Sequence, residues 1–192
     1  VFRVVVLASG RGSNLEALIR ARAAGLLPIN LVAVFSDRAK AGALEIARAA
    51  GITAQFVNPR DFDSREAFDQ AMFAAVDGHA PDLIVLAGFM RILSPSVVAL
   101  RAGRMINIHP SLLPKYPGLH THQRALDAGD VEHGASVHYV IPDLDAGPIL
   151  AQTRIPIVPG DSPESLAARL LPKEHALLVS VVADLAAQAA RT

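Results

Sequence analysis

The stretch from Phe2 to Gly25, FRVVVLASGRGSNLEALIRARAAG, reads as a strand, a tight turn and a helix, and this unit decides the fold. Phe2 to Ala8 is, apart from Arg3, an apolar run rich in β-branched residues, the pattern of a strand buried on both faces of a parallel sheet. A glycine turn follows. Ser13 with Glu16 makes a capping-box pattern, and Leu15, Leu18, Ile19 and Arg22 recur at helical spacing until Gly25 supplies a stop.

The same alternation runs outward along the chain. Strands are expected at Leu31 to Phe35, Thr53 to Val57, Asp82 to Phe89 and Arg104 to Ile108. Between them, helices are expected at Ala41 to Ala50, from an Asp63 and Glu66 cap to about Val76, and from Ser94 and Pro95 onward. Pro110 to Leu119 is too rich in proline to be regular, and His122 to Ala128 reads as a short helix ended by Gly129. Ser136 to Ile141 and Ile149 to Val158 read as two strands of an antiparallel edge. A last helix starts at Ser162 and Pro163, with Pro172 expected to kink or restart it before Lys173 to Ala190. Strands alternating with helices predict an α/β fold: a doubly wound, mostly parallel, Rossmann-like sheet with an antiparallel C-terminal edge. Ligands of such a sheet bind beyond the carboxyl ends of its strands.

Composition limits what the chain can do. Its 192 residues fit one domain, and 52% hydrophobic against 19% charged residues supply a core large enough to offset ordering entropy. Lys+Arg and Asp+Glu number 18 each, so no overall field draws in nucleic acid or an anionic membrane, and a phosphate-bearing ligand needs a local site. There is no cysteine, which removes disulfides, thiolate zinc sites and cysteine nucleophiles. The first apolar run is far too short to span a bilayer and leads into a glycine turn rather than a cleavage site, so a cytoplasmic protein is expected.

Two places carry chemistry. Ser9 to Asn14 sits where a strand meets a helix. Its glycines let backbone amides approach a ligand, and the free amides at the helix start suit a phosphate. A tight turn with no ligand explains the same glycines. Leu15 stands where the third glycine of a dinucleotide fingerprint would be, and no P-loop lysine follows, so a monophosphate ester fits better than a dinucleotide or triphosphate.

The second place is Asn107, His109 and Asp145. Period-2 alternation sends Asn107 and His109 to one side at a strand's carboxyl end, and Asp145 lies in a turn able to reach the same edge. An amide and a protonated imidazole can share the negative charge of a tetrahedral acyl-transfer intermediate, while a carboxylate accepts a proton from an attacking amine. A structural histidine bonded to a carboxylate or carbonyl at a strand end also explains the spacing, and spacing alone does not select catalysis. His120 and His122 form an HxH pair without an evident third ligand, so no metal site is expected. His79, His133, His138 and His175 read as exposed or locally satisfied.

The run NIHPSLLPKYPGLHTH, from Asn107 to His122, resembles the central motif of the folate-dependent glycinamide ribonucleotide formyltransferases. SGRGSNLEAL from Ser9, LAGFMRILSP from Leu86 and DLDAGPIL from Asp143 agree with that family in order. The resemblance implies transfer of a formyl group from 10-formyltetrahydrofolate, as cosubstrate, to the amine of glycinamide ribonucleotide in purine biosynthesis. By the same resemblance Gly12, Ser13 and Asn14 bind the ribonucleotide phosphate, and Glu174 binds its ribose hydroxyls. Met90, Arg91, Ile92 and Leu93 read the folate ring, with Arg65 as a further folate contact. Asn107, His109 and Asp145 form the catalytic trio, with Asn107 also touching the cosubstrate.

A single domain over residues 1–192 is expected, with about 1–105 as the nucleotide-phosphate half and about 106–192 as the catalytic and folate half; monomer and homodimer both stay open. Two features depart from the family: Pro172 precedes Glu174, and Leu177, Leu178 and Val179 replace the usual aromatic and proline. Formyltetrahydrofolate hydrolases and methionyl-tRNA formyltransferases share the Asn, His and Asp core. Their usual extra domains are not expected within 192 residues, and Gly118 to His122 departs from both. A non-catalytic nucleotide-binding module would keep the glycine turn and have no use for the trio.

Overall fold

The structure, a computed structural model, describes residues 1–192. Seven strands make one sheet: β1 Phe2–Leu7, β2 Ile29–Ser36, β3 Thr53–Phe56, β4 Leu83–Leu86, β5 Met105–His109, β6 Glu132–Tyr139 and β7 Ile149–Pro156. Their order is β3-β2-β1-β4-β5-β6-β7. All pairings from β3 across to β5 are parallel, whereas β6 and β7 are antiparallel additions. The helices are α1 Ser13–Ala23, α2 Gly42–Ala49, α3 Arg65–Asp77, α4 Pro95–Ala99, α5 Thr121–Asp127 and α6 Pro163–Ala189. None is long and apolar enough to cross a membrane.

Two apolar layers sandwich the sheet. Val4 and Val6 of β1 point into a layer with Leu15 and Leu18 of α1, Leu44 of α2, and Leu178 and Val182 of α6. Val5 and Leu7 point the other way, against Phe68, Met72 and Phe73 of α3 and Val97 and Val98 of α4. Alternate residues of one strand therefore serve opposite layers, which is why Phe2 to Ala8 shows no polar alternation.

The order of strands reverses between β1 and β4, and the turns that follow these two strands meet there. The Ser9 amide donates to the Gly88 carbonyl at 3.0 Å, and the Met90 amide donates to Ser9 Oγ at 2.9 Å. Register carries the same edge onward, pairing Leu7 with Leu86 and Leu86 with Asn107. The glycine turn, the 87–94 loop and the end of β5 thus line one crevice at a topological switch point, the usual ligand position in such sheets.

Several boundaries differ from the sequence reading. Ser13 does not cap α1 with Glu16: it lies inside the helix, and Gly12 takes the cap position in a left-handed conformation with φ 82° and no side-chain cap. The first amides of α1 are left open rather than satisfied internally. Ser64, not Asp63, caps α3, its side chain accepting from the Ala67 amide. β4 stops at Leu86, before the left-handed Gly88, and β6 begins at Glu132, four residues early, because its Ile155-facing end pairs with β7.

Pro172 neither ends nor restarts the last helix, since α6 is one element of 27 residues. An interior proline costs about 3 kcal/mol. Burial of Leu166, Leu170, Leu178, Val181 and Val182 along the same helix outweighs that, at about 1.5–3 kcal/mol for each fully buried side chain. Pro172 itself is on the exposed face.

Candidate active site

β5 ends in Asn107, Ile108 and His109, and pairs antiparallel with β6 so that Asn107 stands opposite His138 and His109 opposite Ser136. Tyr116, in the irregular segment after β5, accepts from His109 Nε2 through its backbone oxygen at 2.8 Å. A carbonyl can only accept, so Nε2 carries a proton and Nδ1 is the nitrogen left facing the site. His109 Nδ1 stands 3.5 Å from Asp145 Oδ2.

Asp145 projects from the turn between β6 and β7 in a left-handed conformation, φ 51°, and its side chain is only 6% exposed. The Gly118 amide donates to Oδ2 at 2.9 Å, while Oδ1 lies 3.7 Å from His138 Nε2. Gly147 lets the turn lie this close to β6, because a Cβ there would stand 1.7 Å from the Tyr139 carbonyl oxygen. The turn carboxylate does reach the end of β5, and it is buried between two imidazoles.

The sequence reads His138 as exposed or as a core residue satisfied locally. It is a core residue, 2% exposed, with Nδ1 2.9 Å from the Tyr139 carbonyl, and it also joins the constellation through Nε2, 3.2 Å from Asn107 Nδ2. Burial pushes its pKa down, against the opposing pull of the Tyr139 carbonyl and Asp145. The neutral ring has its proton on Nδ1, so Nε2 accepts and the Asn107 amide donates. Asn107, His138, Asp145 and His109 form a continuous polar chain at the sheet edge. The signal for His138 was its place opposite Asn107, which needs the strand register.

The glycine turn is held from below. Ser9 Oγ donates to Asp37 Oδ1 at 2.6 Å, and the Ala43 amide donates to the Gly10 carbonyl at 3.1 Å. A Cβ on Gly12 would meet Ala43 Cα at 2.7 Å, so this position requires glycine both for its φ and for its neighbour. Asn14 Oδ1 is buried without a partner. The α1 start thus offers unsatisfied amides and one unsatisfied acceptor at the crevice mouth.

Met90 and Ile92 are 55% and 54% exposed, two large apolar side chains on the loop that lines the crevice. Leu93 departs from its three neighbours by entering the core with Phe68 and Val97, which leaves only its backbone for a ligand. The Arg91 guanidinium lies 4.4 Å over the Phe68 ring, with Nε buried and unpartnered. Arg65 starts α3 on the same side, bordering a polar cleft of about 480 Å³ that reaches Ser94 and Ser96.

Glu174 is 8% exposed on α6, which packs against α1, and burial lifts its carboxyl to about 7. No hydrogen bond joins it to the polar chain. His122 does not pair with His120 toward a shared ion: its Nδ1 lies 2.9 Å from His133 Nε2, and burial pushes both imidazoles down, His133 to about 4. No group of three His, Cys, Asp or Glu is gathered to hold a metal ion.

Comparison with known proteins bears on what this arrangement is for. The family described as formyl transferase matches residues 2–182. The phosphoribosylglycinamide formyltransferase of Escherichia coli K12 is 52% identical over 179 residues, covering 93% of this chain and 84% of that protein. A trifunctional purine biosynthetic protein, adenosine-3 of Drosophila pseudoobscura pseudoobscura, is 46% identical over 192 residues. That match covers 98% of this chain but only 14% of the much longer protein. The crystal structure of phosphoribosylglycinamide formyltransferase from Brucella melitensis superposes with a TM-score of 0.92 at 54% identity, covering 97% of this chain and 96% of that one.

Proposed function

The chain belongs to the formyl transferase family, in its phosphoribosylglycinamide formyltransferase branch, and from that premise we propose how its own residues carry the reaction. The enzyme transfers a formyl group to the amine of glycinamide ribonucleotide in purine biosynthesis. The formyl donor is 10-formyltetrahydrofolate, a cosubstrate rather than a resident group. What supports the mechanism is the chain of contacts from Asn107 through His138 and Asp145 to His109 at the end of β5.

The amine nitrogen adds to the formyl carbon, and the carbonyl electron pair moves to oxygen. Asn107 donates its free amide hydrogen to that oxyanion, and protonated His109 donates from Nδ1 while Nε2–H stays on Tyr116. Asp145 accepts a proton from the attacking nitrogen, directly or through one water. His109 then yields its proton to the folate nitrogen as the carbon–nitrogen bond breaks, leaving formylated ribonucleotide and tetrahydrofolate. Asp145 passes the amine's proton back to His109 Nδ1, 3.5 Å away, so one proton leaves the amine, one reaches the folate nitrogen and both side chains are restored. No protein nucleophile and no metal is required by this sequence of steps.

Gly12, Ser13 and Asn14 receive the phosphate on open amides at the start of α1, and Glu174 accepts from the ribose hydroxyls. Met90, Ile92 and the backbone at Arg91 and Leu93 flank the folate ring, with Arg65 available to its carboxylate-bearing tail. The whole chain, 1–192, acts as one domain, because a single sheet runs through it. Residues up to about 105 supply the phosphate turn and those from about 106 the catalytic groups. Glu174 and Met90 to Leu93 cross that division in opposite directions.

The decisive assay incubates the protein with 10-formyltetrahydrofolate with and without glycinamide ribonucleotide. Formyl loss that depends on the amine supports this mechanism. Loss without it would identify a hydrolase, in which water takes the place of the amine at the same centre.

A further inference from the structure

The turns after β1 and β2 meet backbone to backbone. Besides the Ala43 to Gly10 hydrogen bond, a Cβ on Gly42 would stand 2.8 Å from the Arg11 carbonyl oxygen. Residues 10–12 and 37–43 therefore form one continuous surface around the start of α1. Three long cations, Arg11, Arg38 and Lys40, stand on it, all exposed. None of their side chains is hydrogen-bonded or ion-paired.

The acids nearby are already engaged. Glu16 is held by Arg20 at 2.8 Å and Glu45 by Arg48 at 2.9 Å, while Asp37 accepts from Ser9. Even counting Asp37 as a full negative charge, the surface keeps two net positive charges, in a chain whose formal net charge is +0. Unpaired cations at one place on a neutral protein are a local field rather than a solvated background.

We propose that Arg11, Arg38 and Lys40 form a cationic collar around the glycine turn that draws in the phosphate dianion of the ribonucleotide and discriminates against amines lacking it. This rests on the reading that Gly12, Ser13 and Asn14 receive that phosphate. The division of labour is physical: the amides of α1 make short-range hydrogen bonds to a docked phosphate, and the collar acts before docking, over several ångströms of water. Its contribution is therefore screened by salt, whereas that of the amides is much less so.

The test measures kcat/KM for glycinamide ribonucleotide and for its unphosphorylated riboside between about 0.01 M and about 1 M ionic strength, over which the screening length falls from about 30 to about 3 Å. For the native enzyme the ribonucleotide value is expected to fall roughly tenfold or more with salt, and the riboside value to stay flat. Combining Arg11→Gln, Arg38→Gln and Lys40→Gln should lower the low-salt ribonucleotide value roughly tenfold and abolish the slope, with the KM for 10-formyltetrahydrofolate unmoved. Arg191→Gln, at the exposed C-terminus, should reproduce the native salt dependence. If the triple variant keeps the native value and slope while the native enzyme still prefers the ribonucleotide, the collar is wrong and the cradle stands. Equal use of riboside and ribonucleotide by the native enzyme at every salt concentration overturns both.

Discussion

Asn107 and His138 face each other across the pairing of β5 and β6, amide nitrogen to imidazole Nε2 at 3.2 Å, and the ring's other nitrogen is tied to the Tyr139 carbonyl. The tie fixes which way the Asn107 amide points, so His138 is a positioning residue for the oxyanion donor. We predict that His138→Ala lowers kcat by up to roughly a hundredfold, the scale of a 1 Å misplacement, with both KM values nearly constant. His138→Gln, whose side-chain oxygen can accept the same N–H, should recover part of the loss. Full native turnover in the alanine variant would remove this role.

His109 and Asp145 are predicted to act in the chemical step itself. His109→Ala should reduce kcat roughly a hundredfold to ten-thousandfold. Asp145→Asn keeps an acceptor for the Gly118 amide, so its thermal midpoint should stay near native while kcat falls over a similar range. Destabilisation with intact specific activity of the folded fraction would reverse the assignment.

Gly147 is predicted to be required for the placement of Asp145. An added methyl cannot coexist with the Tyr139 carbonyl at 1.7 Å, so in Gly147→Ala the turn must shift and take the carboxylate with it. Neither large core cluster includes this turn. Turnover should drop by about tenfold or more while far-UV circular dichroism is unchanged. A fully active alanine variant would show that the turn tolerates displacement.

Glu174 predicts a pH dependence of known sign. Its carboxyl is raised from 4.5 to about 7 by burial, so the folded protein holds a proton that the unfolded chain releases between these values. Stability therefore declines as pH rises from about 4.5 to about 7 and levels off beyond. Glu174→Gln should abolish that slope in a pH series of thermal midpoints, with the largest gain over the native protein above neutrality. Ribose hydroxyls donate to the ionised form, so native affinity for the ribonucleotide should rise across the same interval. A pH-independent difference between the two proteins would contradict the buried, protonated state.

Much of the architecture was readable in linear order because it depends on local pattern. The unbroken apolar run at Val4 to Ala8 already required a strand covered on both faces, and the glycines and prolines marked the turns that follow each strand. Asn107 and His109 could be singled out because alternation puts two hydrogen-bonding groups on one side at a strand's carboxyl end, and Asp145 because its turn can reach the same edge. Resemblance over the 107–122 run and the stretch from Asp143 then gave them roles.

What the chain order withheld was every relationship set by register or by competition between distant packing. Ser13 looked like a cap, yet Gly12 turns the chain so that the α1 amides stay open, a local rule broken at the ligand edge. Pro172 looks like a break, yet buried side chains up to about three turns away along α6 outweigh its missing hydrogen bond. His138 gains its place only when β6 pairs antiparallel with β5 and sets it opposite Asn107. Strand periodicity specifies which face a residue occupies and not which residue it meets across the sheet, so the partner that orients the amide was decided by tertiary pairing alone.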